Sequence, residues 1–104
     1  DNKYIVHKVN QMNLKKGDLF DMRSFNSFSF SPYTAIGYMN HQICCLYRMR
    51  VNKHVPKFVF PLESEMEVLL PPMKVRVVGI TDIVSPVSSM VRIRMFDIEY
   101  VKEL

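Results

Sequence analysis

With 104 residues the chain has room for a single domain, 1–104, and one modest core. An apolar share of 48% against 23% charged excludes a disordered tail, and a formal net charge of +4, spread thinly along the chain, does not indicate a nucleic-acid groove. No stretch is long enough to span a bilayer, and the two cysteines, adjacent at Cys44-Cys45, are too few to staple a small fold.

Val, Ile, Phe and Tyr recur in short runs without a long Leu-rich helical pattern, which favours sheet. Tyr4 to Val9 reads as a first strand, with Ile5, His7 and Val9 on one side. Gln11 to Gly17 is a polar turn, and Leu19 to Met22 a second short strand. From Ser24 to Pro32 aromatic and hydroxyl residues alternate, sending Phe28 and Phe30 one way and Ser27, Ser29 and Ser31 the other. Such a hydroxyl face is either the wet side of a half-buried strand or a source of donors for a polar ligand or a buried carboxylate. Ser31-Pro32 then has the form of an N-cap and first turn for a short helix over Tyr33 to Asn40.

Ile43 to Val51 is a strand with Cys45, Tyr47 and Met49 opposed to Leu46, Arg48 and Arg50. The two thiols are expected to be buried, because His41 nearby lacks the second ligand pair that a zinc site wants. Asn52 to Pro56 is a turn, and Lys57 to Phe60 a short strand. Glu63-Ser64-Glu65-Met66-Glu67 then sets three carboxylates at alternate positions, about 6 to 7 Å apart on one face if the segment is extended. Like charges that close repel, so either a cationic ligand or transition state compensates the row, or it is a solvated edge. Val68 to Leu70 is a strand halted by Pro71-Pro72, and Lys74 to Ile80 resumes with Val75 and Val77 opposed to Lys74, Arg76 and Val78. Asp82 to Ser89 is a loop holding Ser85-Pro86. Met90 to Val101 closes the chain as one long strand whose polar side carries Arg92 and Arg94.

Two of these stretches together resemble the arginine-type mono-ADP-ribosyltransferase family of cholera-like toxins and vertebrate ecto-enzymes. Phe25-Asn26-Ser27-Phe28-Ser29 is similar to that family's aromatic-x-Ser-Thr-Ser strand, with Phe28 in place of threonine and Ala35 where its alanine falls. Glu65-Met66-Glu67-Val68-Leu69-Leu70-Pro71-Pro72 is similar to its Glu-x-Glu segment, and Val75 to Ile80 to the strand that follows. The resemblance implies an α+β fold, a mostly antiparallel split β-sandwich with one or two short helices. It implies NAD+ as substrate, with Glu67, Glu65 and Ser27 catalytic and Ser27, Ser29, Phe25, His7 and Glu67 binding the cofactor. Glu67 would hold the nicotinamide ribose and stabilise the cation that forms as nicotinamide leaves. Ser27 would position Glu67, and Glu65 would orient an arginine on a protein acceptor. Slow NAD+ hydrolysis and a secreted or host-delivered protein are implied with these.

The sequence departs from the family pattern in three places. No Arg-Gly occurs on the first strand, where the family places a cofactor-binding arginine. The arginine is therefore expected on an upstream piece or partner chain, the chain beginning at Asp1 rather than Met, with His7 the nearest replacement in register. Before Glu65, Leu62 and Glu63 stand where the family often has an aromatic that meets the target, Phe60 being the nearest ring. Phe28 replaces threonine at a position that should face the core. An inactive relative that only binds, or an unrelated β-rich interaction module, are the alternatives.

Overall fold

A computed structural model describes residues 3–9, 13–31, 45–60, 67–85 and 88–104. They form eight strands: β1 (Tyr4–Val9), β2 (Leu19–Met22), β3 (Asn26–Ser29), β4 (Cys45–Arg50), β5 (Phe58–Val59), β6 (Glu67–Leu70), β7 (Met73–Ser85) and β8 (Ser88–Glu103). All eight join one sheet in the order β2-β7-β8-β4-β1-β3-β6-β5. Neighbours are antiparallel except β4 and β8, which run parallel.

The expected α+β class is corrected by this arrangement, because the described residues are all-β in a mixed sheet. The helix expected at 33–40 lies outside the described residues. The loop expected at 82–89 is another correction, since β7 continues to Ser85 and β8 begins at Ser88. Asp82 pairs with Arg94 across this hairpin, and the Arg94 guanidinium donates to both its carboxylate oxygens at 3.0 and 3.3 Å. A charged pair directly opposite on two strands favours continued pairing.

The sheet cannot be flat. β6 and β7 are five places apart in the strand order, about 24 Å at ordinary strand spacing, yet only Pro71 and Pro72 separate Leu70 from Met73. Three extended residues reach about 11 Å at most, so the sheet must fold over until its two wings face each other. Register shifts at Lys74/Val75, Val77/Gly79 and Val84/Ser85 supply local bends in the β7–β8 ribbon.

The fold encloses the main core between the wings. Ile5, Phe28, Tyr47, Met49, Val68, Leu70, Val75, Val77 and Phe96 belong to it, drawn from β1, β3, β4, β6, β7 and β8. A smaller cluster of Val6, Leu46, Ile93 and Met95 occupies the other face of the sheet. Cys45 is buried among apolar neighbours of the main core. Cys44 lies outside the described residues.

Candidate active site

The site is built by alternation on two short neighbouring strands. In β3, Phe28 points into the main core at 1% exposure, which sends Ser27 and Ser29 to the opposite face. Antiparallel pairing sets Ser29 across from Glu67 and Ser27 across from Leu69. Ser27 and Glu67 are therefore diagonal neighbours on one face, and the Ser27 hydroxyl donates to Glu67 Oε2 at 2.5 Å. That length suits a hydroxyl donating to a carboxylate. Ser27 is exposed and Glu67 half-buried, so the pair is open to an incoming ligand.

The other expected residues separate into two groups. Phe25 joins the pair: its ring lies 6.5 Å from that of Phe58, and Phe58 pairs with Leu69, which in turn pairs with Ser27. Phe25 and Phe58 are more than half exposed, an aromatic pair at the Ser27–Leu69 end of this face. Ser29 shares the face but is buried, and its hydroxyl accepts the Ser31 N–H at 3.0 Å. Glu65, Ala35, Leu62 and Glu63 lie outside the described residues.

His7 stands apart from this face. Val6 pairs with Ser29, so Val6 shares the Ser27–Glu67 face and His7 takes the opposite one. There its ring stacks on Phe28 with centroids 5.0 Å apart, and Nδ1 meets the Ser27 carbonyl at 2.6 Å. Since a carbonyl only accepts, Nδ1 carries the proton. Burial lowers the His7 pKa below its ordinary value; the bond to Ser27 opposes the shift and the charge of Lys8 adds to it. Lys8, two residues along β1 from Val6, is the side chain that alternation sends to the Ser27–Glu67 face.

Which of His7 and Lys8 shares the Ser27–Glu67 face is not legible in the sequence. The choice depends on pairing between strands twenty residues apart, and a slip by one exchanges them. Phe58 was missed for the same reason, its strand being placed only by pairing with β6. A cavity of about 440 Å³ opens elsewhere, bordered by Tyr4, Arg48, Arg50, His54 and Asp97, and shares no residue with Ser27 and Glu67. Within it Arg48 is already engaged, bonded to both Asp97 oxygens at 2.6 and 3.2 Å and lying 4.6 Å from the Tyr4 ring centre.

No protein-family model matches the chain, and no curated protein matches it in sequence. Solved structures do match in shape. Plx2a, an ADP-ribosyltransferase toxin from Paenibacillus larvae, is 14% identical with a TM-score of 0.74, covering 98% of this chain and 62% of that one. The Vis toxin, an ADP-ribosyltransferase from Vibrio splendidus, is 20% identical with a TM-score of 0.67, covering 98% and 49%. C2-I, the enzymatic component of the Clostridium botulinum C2-toxin, is 15% identical with a TM-score of 0.68, covering 94% and 31%. Vis has also been solved in complex with agmatine. The chain thus spans less than two thirds of the length of each of these proteins. Over that span, the chain has the fold of the ADP-ribosyltransferase toxins.

Proposed function

We propose that this chain carries the NAD+-binding and catalytic strands of a mono-ADP-ribosyltransferase that modifies arginine on a protein target. The observation that carries the reading is the 2.5 Å bond from Ser27 to Glu67, on adjacent strands of a fold shared with ADP-ribosyltransferase toxins. In the proposed reaction the bond between the ribose anomeric carbon and nicotinamide breaks, and nicotinamide leaves with the electron pair. Positive charge develops on the ribose, and Glu67 stabilises it more strongly in the transition state than in the ground state. Ser27 holds that carboxylate in orientation. A guanidinium nitrogen of the acceptor then forms the new bond at the anomeric carbon and gives up its proton to Glu65. Water in place of the acceptor yields NAD+ hydrolysis.

The remaining assignments follow from the same face. Phe25 borders the nicotinamide end, Lys8 offers a cation to the cofactor phosphates, and Ser29 supports the strand from its buried position. The arginine acceptor is supported by the Glu65-x-Glu67 spacing and by Vis binding agmatine, which ends in the same guanidinium. Secretion or delivery into a host cell belongs to this reading, because the similar structures are toxins.

Nicotinamide release from NAD+ tests it. Glu67→Gln should lower release by about a thousandfold, the scale of losing a main electrostatic stabiliser. Glu65→Gln should keep release while abolishing transfer to agmatine or a protein arginine. Unchanged release in Glu67→Gln would end the proposal, and equal loss of both reactions in Glu65→Gln would remove the division of roles.

A further inference from the structure

Resting on the ADP-ribosyltransferase reading, we propose that His7 is a positioning residue that holds the Ser27–Glu67 pair from behind the sheet. Its Nδ1–H fixes the Ser27 carbonyl, and through that peptide the hydroxyl that orients Glu67. The geometry makes this a distinct task from binding cofactor. β3 is registered to β6 at four positions, Asn26 to Ser29, but to β1 only at Val6–Ser29. The donor that meets the Ser27 carbonyl from β1 is therefore a side chain, at 2.6 Å, in a place where a sheet ordinarily uses main-chain N–H.

The imidazole is itself held. It stacks on Phe28 at an interplanar angle of 27°, and Phe28 is almost wholly buried in the main core. Side-chain packing thus fixes His7, His7 fixes the Ser27 peptide, and Ser27 fixes the carboxylate at 2.5 Å. A displacement of about 1 Å anywhere in that series would undo the diagonal contact, a scale of error that costs enzymes up to about a hundredfold in rate. The ring lies on the sheet face opposite to the Ser27 hydroxyl, so its loss should affect the chemical step and spare cofactor affinity.

Three substitutions test this. The amide N–H of asparagine reaches the place of Nδ1–H, glutamine reaches that of Nε2, and alanine reaches neither. His7→Ala should lower kcat for nicotinamide release about ten- to hundredfold while KM for NAD+ stays within about twofold. His7→Asn should stay within about threefold of the parent, and His7→Gln should behave as alanine does. If His7→Ala does not fold, the Asn and Gln variants carry the comparison. A raised KM at unchanged kcat would show that the ring touches cofactor and overturn the proposal, as would parent-like activity in His7→Ala or His7→Gln.

A turnover-independent readout is the Cβ chemical shift of Ser27 in the NMR spectrum, which follows the rotamer that places its hydroxyl on Glu67. The parent signal should be lost in His7→Ala or His7→Gln and persist in His7→Asn. Should the parent chain release no nicotinamide, the transferase reading fails by itself, and this signal still decides: loss without the Nδ1-like donor supports the positioning role, and an unchanged signal overturns it.

Discussion

Ser27 and Glu67 are forty residues apart in the chain, and their contact depends on two alternations agreeing in phase. Phe28 fixes the phase of β3 by occupying the core, and Val68 and Leu70, both fully buried, fix that of β6. His7 then adds a pH dependence to the same region. The groups facing it are the Ser27 carbonyl and the Phe28 ring from β3 and Tyr47 from β4, while Lys8 acts on it by charge from the opposite face of its own strand, and burial disfavours its charged form. The unfolded chain protonates His7 near its ordinary value of about 6.5, whereas the folded chain resists until lower pH, so the unfolded state binds more protons between the two. Stability from this group is complete above about pH 6.5 and is lost as pH falls through the folded value. Urea unfolding between about pH 7.5 and about pH 5 should show a shallower decline in His7→Asn than in the parent; parallel declines would refute it.

At the scale of an element, the turn before β2 needs a left-handed residue at Gly17. Gly17 has a φ of +95°, its N–H donates to the Val77 carbonyl at 2.7 Å, and a Cβ there would meet nothing within 4 Å. Crowding is therefore removed as a cause, leaving the intrinsic cost of positive φ. Gly17→Ala should destabilise the fold by about 1 to 2 kcal/mol in denaturant titration, with nicotinamide release per folded molecule unchanged. A neutral result would mean that the turn relaxes to negative φ. The Val77 N–H also donates to the Asp18 carbonyl, at 2.8 Å, so the turn and β7 hold each other at both ends of this short connection.

For the molecule as a whole, the parallel β4–β8 pair is the seam of the folded sheet. β4 is hydrogen-bonded to β1 on one side and β8 on the other over Cys45–Met49, and Cys45, Leu46, Tyr47 and Met49 are buried. β2 and β5 close the two ends of the strand order, and β5 has only two residues, both exposed. Hydrogen exchange should therefore be slowest at the amides of β4 and the facing part of β8, and fastest in β5. Comparable protection in β5 and β4 would contradict the order of strands. The Arg48–Asp97 pair lies across this seam, its side chains 33% and 23% exposed. Solvent reaches it, so it contributes orientation more than stability.

The sequence alone determined what each stretch prefers locally. Apolar residues at every second position announced the strands, the Pro-Pro step announced the break between β6 and β7, and the resemblance of the serine and glutamate stretches to a known family implied Ser27 and Glu67 as partners. It overestimated local punctuation at Asp82, where a cross-strand guanidinium holds the chain extended. Only the tertiary structure decided that His7 takes the face opposite to the Ser27 hydroxyl while Lys8 shares it, that Phe58 comes beside Leu69 and Ser27, and that a sheet of eight strands folds upon itself. The physical reason is register. Alternation of side chains is written within a strand, but its phase against a neighbour depends on which residues of two distant segments pair, and a shift of one residue reverses every face.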